Sequence, residues 1–227
     1  GAAMQEKIRQ DTVTLRKAMS DCHIILGVDR LDYSKGIPEK LKAFKTALEL
    51  YPEMHGKVAL IQLLVPSRED IPEYQGMRTE VERMVSEING KFGRPGWTPI
   101  QYMFRAVPRD ELITYYCAAD IALVTPLKDG MNLVAKEYCA SNFNEDAVLI
   151  LSEFAGAASQ LGRYALTVNP YDVYWWLERF LKAAAVEPEI KTAGINRYTV
   201  AMDYKYREIN WPSGCGRFAR GWDASRT

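Results

Sequence analysis

The sequence contains few of the residues that build metal sites or disulfide frameworks. Its 227 residues include two histidines and four cysteines, and the cysteines form no CxxC pair: Cys22, Cys117, Cys139 and Cys215. Zinc sites and disulfide-stabilised folds require clustered or paired ligands, so neither class is expected. We therefore expect no bound metal and a location in a reducing cytoplasm.

The sequence also lacks a net charge and a long apolar run. Its 29 Lys and Arg residues balance 29 Asp and Glu residues, so the formal net charge is +0. Bulk attraction to nucleic acid or to an anionic membrane is therefore not expected. No apolar run approaches the roughly 20 residues that span a bilayer, and the first residues lack the pattern of a signal peptide. Any anionic ligand must be held by a local group of cations.

Six short apolar runs, rich in β-branched residues, predict buried strands. Because they are continuous and do not alternate with polar residues, they indicate a sheet covered on both faces, which is typical of parallel sheets. The predicted strands are Ile24 to Val28, Val58 to Leu64, Ile100 to Phe104, Ile121 to Thr125, Val148 to Leu151 and Ala165 to Val168.

Helical periodicity fills the intervals between these strands and predicts an α/β fold with a doubly wound parallel sheet. The predicted helices run from Pro38 to Tyr51, from about Asp70 to Asn89-Gly90, from Asp110 to Ala118 and from about Met131 to Ser141. We expect an N-terminal helix or linker outside this unit at 1–20, a Rossmann-like domain at 21–185 and an irregular tail at 186–227.

Three loops that follow predicted strands carry the candidate chemistry, because ligands of open α/β sheets bind beyond the carboxyl ends of the strands. In the first loop, Arg30 and Lys35 lie near a helix N-terminus, which favours phosphate or diphosphate. The alternative is a solvated turn in which Arg30 pairs with Asp29 or Asp32. The loop is neither a Walker loop nor a dinucleotide-binding GxGxxG motif.

The second and third loops add one more cation and two carboxylates. Arg68 could hold a second anion, although an ion pair with Glu69 or Asp70 is the simpler interpretation. In the third loop, the N–H groups after Gly130 could form an anion-binding nest, and Asp129 and Glu137 could accept hydrogen bonds from polyol hydroxyls. For Glu137 the alternative is an ordinary surface position on a helix. Together the loops predict a site for a sugar phosphate or a nucleotide diphosphate.

Five longer strings carry a resemblance to a known family. They are GVDRLDYSKG, VPSREDIPEYQ, INGKFGRPGWTPI, ADIALVTPLKDGMNLVAKEY and LSEFAGAASQL. In this order and spacing, from about Gly27 to Asp172, they resemble the retaining glycosyltransferases that make trehalose 6-phosphate, with the glucosylglycerol-phosphate synthases as near relatives. The resemblance implies the C-terminal, nucleotide-sugar-binding half of a two-domain GT-B fold, in which two Rossmann-like halves enclose the active site.

The resemblance also implies roles for individual residues. Arg30 and Lys35 would bind the diphosphate of the donor UDP-glucose, and Arg68 would meet the phosphate of the acceptor, glucose 6-phosphate. Asp129 would hold the transferred glucose, and with Arg30 and Lys35 it forms the expected catalytic set. The remaining donor contacts would be the backbone of Val107, the ribose-binding Glu137, and the N–H groups of Gly130, Met131, Asn132 and Leu133. The family needs no metal or other cofactor.

The resemblance has limits, which leave alternatives open. The N-terminal half, with most acceptor contacts and a catalytic histidine, has no counterpart here, so the isolated chain is expected to bind donor better than it turns over. The family pattern is interrupted after Asp172, where Trp175-Trp176 follows at once, and the tail from Val186 matches nothing in the family. The expected partners are both substrates and the missing half, with a homo-oligomer as an alternative. Glucosylglycerol-phosphate synthase and a catalytically silent sugar-phosphate-binding domain are the other functions considered.

Overall fold

The computed structural model describes residues 2–19, 22–68, 70–142 and 147–172, and these form a three-layer α/β structure. Its centre is a six-stranded sheet in which every strand pairing is parallel, in the order β3-β2-β1-β4-β5-β6. The strands are β1 (His23–Arg30), β2 (Val58–Val65), β3 (Ile100–Phe104), β4 (Ile121–Val124), β5 (Val148–Ser152) and β6 (Leu166–Val168). The predicted doubly wound sheet is therefore confirmed.

Helices cover both faces of the sheet. They are α1 (Ala2–Ala18), α2 (Ile37–Leu50), α3 (Pro72–Phe92), α4 (Arg109–Ala118), α5 (Leu133–Ser141) and the short α6 (Ala158–Leu161). Apolar side chains of α2 and α3 form one core against the sheet, and those of α4 and α5 form a second core on the other face. Two buried cores explain why the strands read as continuous apolar runs.

Helix α1 packs against α4. Its Ile8 is 1% exposed, and Arg16 at its C-terminal end donates to the carboxylate of Asp120, with Nη2 2.7 Å from Oδ1. The same carboxylate accepts a hydrogen bond from the backbone N–H of Ile24 at 2.7 Å. Asp120 thus ties α1 to the start of β1 and to the chain segment that enters β4.

The long helix α3 continues past its predicted end at Asn89-Gly90. The Asn89 side chain bonds both the carbonyl and the N–H of Ile100, each at 2.9 Å, so it links the helix to β3 and does not end the helix. The last turn buries Phe92, which is 9% exposed. Burial of that ring outweighs the low helix propensity of Gly90.

The strand order reverses between β1 and β4, and this places their carboxyl ends at the crevice where open α/β sheets bind ligands. In the parallel register, Arg30 at the end of β1 lies opposite Val65 at the end of β2. The loops predicted to carry chemistry therefore start at one edge of the sheet.

In the described part of the chain, no helix is both long and apolar enough to cross a membrane. Trp175-Trp176 and the tail at 186–227 lie outside the described residues.

Candidate functional site

The loop after β1 is held in a compact turn by Asp32. Its carboxylate accepts hydrogen bonds from the N–H of Ser34 at 2.9 Å and from the Ser34 hydroxyl at 2.7 Å. A single 3-10 turn, Tyr33–Lys35, follows. Gly36 then adopts a φ of +63°, and a Cβ at this position would lie 3.1 Å from the carbonyl oxygen of Thr125. Glycine is required here both by the left-handed conformation and by the close approach of the loop after β4.

The loops after β1 and β4 are joined across the crevice. The Ser34 carbonyl accepts hydrogen bonds from the N–H groups of Leu127 (2.8 Å) and Lys128 (3.1 Å). The Lys35 ammonium reaches Asp129, with Nζ 2.6 Å from Oδ2, and the two side chains are 17% and 15% exposed. Two candidate site residues that lie far apart in the sequence are thus in direct contact at the point where the strand order reverses.

The Asp129 carboxylate is held in its ionised form. Burial alone would raise its pKa, but hydrogen bonds from Lys35 and Asn132, together with the Lys35 charge, lower the pKa below its ordinary value. Asn132 Nδ2 donates to Oδ2 at 2.9 Å. A fixed carboxylate that already has two donors is suited to orient the hydroxyls of a neutral ligand.

Asn132 also shapes the start of α5. Its φ is +58°, in the left-handed region, and its side chain caps the helix by accepting the Ala135 N–H at 3.0 Å. The helix therefore begins at Leu133, two residues later than predicted, because the chain turns sharply at Asn132. The N–H groups from Gly130 to Leu133 lie in this turn at the N-terminal end of α5, where the helix dipole favours an anion.

A segment after β5, to which the sequence analysis assigned no site residue, supports this turn. The N–H of Gly156 donates to the Asp129 carbonyl at 2.7 Å, and Asp129 forms a parallel bridge with Ala155. A Cβ on Gly156 would lie 2.0 Å from the carbonyl oxygen of Gly130, which real contacts do not allow. Gly156 belongs to the string LSEFAGAASQL, but its role depends on a contact between distant loops.

Arg30 presents its guanidinium to solvent beside this crevice. Its side chain is 58% exposed, and its contact with Asp32 is long, with Nη2 3.4 Å from Oδ2. Asp29, the other partner considered for Arg30, is instead buried and pairs with Lys40 of α2, with Oδ2 2.5 Å from Nζ. Gln62 donates to the same carboxylate oxygen at 2.9 Å. The buried Asp29–Lys40 pair anchors the end of β1 and leaves Arg30 at the surface.

Arg68 is exposed in the loop after β2 and has an unusual backbone. Its φ is +49°, in the left-handed region that favours glycine. Its guanidinium donates to the hydroxyl of Tyr74 at 3.1 Å and lies 5.7 Å from the centre of that ring. Of the two acidic partners considered for Arg68, Glu69 lies outside the described residues. The buried Tyr74 therefore fixes the direction of the Arg68 side chain.

The two remaining predicted site residues lie farther along the same edge. Val107 is half-buried in the loop that joins β3 to α4, and β3 is an edge strand of the sheet. Glu137 lies in the second turn of α5 and is not the free surface residue of the simpler interpretation. Its Oε2 accepts a hydrogen bond from the buried hydroxyl of Tyr116 at 3.0 Å. Lys35, Asp129 and Asn132 are in contact, and Gly130, Met131 and Leu133 belong to the same turn as Asp129 and Asn132, whereas Arg30, Arg68, Val107 and Glu137 lie elsewhere in the chain.

Comparison with known proteins decides the family. Residues 2–203 match the family model described as glycosyltransferase family 20. The chain belongs to glycosyltransferase family 20. This family match extends past residue 186, so the prediction that the tail resembles nothing in the family is wrong for residues 186–203. It also includes the segment before Gly27, the residue at which the resembling strings begin.

The relatives of this chain include trehalose-phosphate synthases. The chain is 43% identical over 209 residues to the UDP-forming alpha,alpha-trehalose-phosphate synthase 56 kDa subunit of Kluyveromyces lactis, covering 87% of this chain and 43% of the relative. It is 45% identical over 190 residues to trehalose-6-phosphate synthase of Mycolicibacterium smegmatis, covering 83% of this chain and 38% of the relative. The chain thus spans less than half the length of these family members.

Solved family 20 structures share its fold. The UDP-forming alpha,alpha-trehalose-phosphate synthase of Burkholderia xenovorans in complex with glucose-6-phosphate has a TM-score of 0.83 and 36% identity, over 88% of this chain and 45% of that one. The E. coli enzyme bound with UDP-2-fluoro glucose has a TM-score of 0.78 and 38% identity, over 85% of this chain and 44% of that one. These similarities confirm the expected Rossmann-like half of a GT-B glycosyltransferase.

Proposed function

We propose that this chain is the nucleotide-sugar-binding half of a retaining glucosyltransferase that transfers glucose from UDP-glucose to glucose 6-phosphate, forming trehalose 6-phosphate. The observation that carries the proposal is the Lys35–Asp129 ion pair in the crevice between β1 and β4. It combines a cation for a diphosphate and a carboxylate for sugar hydroxyls at the point where an open α/β sheet binds its ligand. The choice of substrates is supported by relatives that are named as UDP-forming trehalose-phosphate synthases and by neighbours bound to glucose-6-phosphate or UDP-2-fluoro glucose.

The donor's charges would be matched by Arg30, Lys35 and the N-terminal turn of α5. Breaking the bond between glucose C1 and the diphosphate oxygen leaves additional negative charge on the diphosphate. Cations and N–H groups that are already in place stabilise this charge more in the transition state than in the ground state. The proposed site therefore neutralises its leaving group with protein groups alone, and its independence of metal remains a prediction.

Retention of configuration follows from attack on the same face of the sugar. A hydroxyl oxygen of the acceptor forms the new bond to C1 as the bond to the diphosphate breaks, and the hydroxyl proton passes to the leaving diphosphate oxygen. No pair of carboxylates of the glycosidase type is required. In this scheme Asp129 orients the glucose, and Arg68 directs the acceptor by its phosphate.

Turnover distinguishes this proposal from its alternatives. UDP release is measured with UDP-glucose and glucose 6-phosphate, for the chain alone and mixed with the separately expressed N-terminal half of a relative. We expect release in the mixture only. Trehalose 6-phosphate made by the chain alone contradicts the assignment as a donor-binding half. A mixture that is active with glycerol 3-phosphate but not with glucose 6-phosphate favours the glucosylglycerol-phosphate synthase, and a silent mixture whose chain still binds UDP-glucose favours a binding domain.

A further inference from the structure

A buried tyrosine lies behind the carboxylate that we assign to the donor's ribose. Tyr116 of α4 is 2% exposed, and its hydroxyl lies 3.0 Å from Oε2 of Glu137 on α5. Burial and, secondarily, the charge of Glu137 raise the pKa of Tyr116 above its ordinary value. The hydroxyl therefore stays protonated at neutral pH and is a hydrogen-bond donor to the carboxylate.

The phenol ring of Tyr116 is itself fixed by packing between the two helices. It meets the ring of Tyr138 in an edge-to-face arrangement, with centroids 6.3 Å apart and an interplanar angle of 73°. Tyr138 is also 2% exposed, and it is the residue next to Glu137 in α5. Because both rings belong to the same buried contact between α4 and α5, the Tyr116 hydroxyl has a defined position beneath Glu137.

Holding the Glu137 side chain in place before its ligand binds lowers the entropy cost of binding. A Glu side chain loses much of its rotamer freedom when it is ordered. The hydrogen bond from Tyr116 holds one carboxylate oxygen, and the second oxygen can then accept from the neighbouring hydroxyls of a ribose. Part of the ordering cost of ligand binding is therefore met within the free protein.

We propose that Tyr116 is a positioning residue that acts through Glu137: its hydroxyl aims the Glu137 carboxylate at the ribose hydroxyls of the nucleotide. The inference rests on the proposed function, because it takes the ligand to be a ribonucleotide diphosphate. It makes recognition of the ribose depend on a side chain that the ligand does not touch.

The test compares two nucleotides that differ only at the ribose. UDP and 2′,3′-dideoxy-UDP are titrated by calorimetry into the full chain. The wild type is expected to bind UDP about tenfold or more tightly, as for a hydrogen bond to a charged group. Tyr116→Phe should reduce this preference by about threefold or more and leave the affinity for dideoxy-UDP within about twofold. Glu137→Gln should reduce the preference for UDP similarly. The double variant should lose no more of this preference than either single variant.

A matched control uses the neighbouring ring. Tyr138→Phe removes a buried hydroxyl that donates to the Ala119 carbonyl at 3.4 Å, and it should leave the ribose preference unchanged. A Tyr116→Phe variant that keeps the full preference, or that weakens both nucleotides equally, overturns the inference. A wild type that binds UDP with no ribose preference also overturns it but leaves the proposed function intact. A wild type that binds neither UDP nor UDP-glucose contradicts both.

Discussion

The Lys35 ammonium and the Asp129 carboxylate form an ion pair between the loops that follow β1 and β4, with Nζ 2.6 Å from Oδ2. The pair satisfies both charges in the ligand-free protein. A diphosphate that binds here must share Lys35 with Asp129, and a sugar hydroxyl must share Asp129 with Lys35. The pair therefore links recognition of the leaving group to recognition of the sugar.

Neutralising Asp129 should separate these two recognition steps. In Asp129→Asn, Lys35 loses its negative partner, so we expect UDP to bind as tightly as in the wild type or more tightly. The extra affinity for UDP-glucose over UDP should fall by about threefold or more, because the amide is a weaker acceptor for hydroxyls. Calorimetric titration of both ligands measures the two effects. Glu73→Gln, the same change on an exposed residue in the first turn of α3, is the control and should alter neither. Weaker UDP binding in Asp129→Asn would contradict this account of the pair.

The same pair predicts a pH dependence of stability. Burial alone would raise the folded-state pKa of Asp129, but the hydrogen bond and charge of Lys35 and the hydrogen bond from Asn132 lower the pKa below its ordinary value. A depressed folded pKa contributes stability above the unfolded-state pKa, and this contribution is lost as the pH falls through the folded value. The difference in unfolding free energy between the wild type and Asp129→Asn should thus stay constant from about pH 5 to about pH 8 and shrink below about pH 4. Urea denaturation at a series of pH values measures it, and a difference that grows on acidification would refute the assignment.

Because the backbone of Arg68 is left-handed, two substitutions at this position should have the same effect on binding and different effects on stability. Both Arg68→Gly and Arg68→Ala remove the guanidinium, so both should weaken binding of glucose 6-phosphate if Arg68 meets its phosphate. Glycine accepts the φ of +49° without strain, whereas alanine does not. We expect the glycine variant to be about 1 kcal/mol more stable than the alanine variant by chemical denaturation. Equal stabilities would show that the backbone relaxes when the side chain is lost.

Gly156 should be essential for the shape of the turn at Asp129. In Gly156→Ala the new methyl group would overlap the carbonyl of Gly130, so the turn must move. We expect a loss of about 1–3 kcal/mol of stability together with weaker UDP-glucose binding. Gly90→Ala in α3 meets no atom within 4 Å and should stabilise the protein by about 0.5–1 kcal/mol. If both variants behave alike, the contact between Gly156 and the turn has no energetic importance.

The sequence was sufficient to predict the layers of the fold. Continuous apolar runs indicate strands buried on both faces, and all six predicted strands are present with their ends within two residues of the predicted ones. Helix ends were harder to predict where a tertiary contact decides them. Asn89 resembles a helix stop, but its side chain bonds Ile100, and burial of Phe92 extends α3.

The candidate site could be predicted only in part. Charged residues at the ends of strands indicated Arg30, Lys35 and Asp129, because the parallel topology brings those loops to one edge. The pairing of Lys35 with Asp129, the contact of Gly156 with Gly130 and the support of Glu137 by Tyr116 each join distant parts of the chain. Local periodicity and spacing contain no signal for such contacts.

Titration of UDP-glucose into the full chain tests the central claim most directly. The wild type should bind one equivalent. Arg30→Ala should weaken binding by at least about 1.5 kcal/mol, or roughly tenfold, as for a charge-assisted hydrogen bond. Arg163→Ala, which removes an exposed arginine before β6 at the opposite edge of the sheet, should leave the affinity unchanged. Absence of binding by the wild type, or equal affinity in Arg30→Ala, would contradict the assignment of this edge as a nucleotide-sugar site.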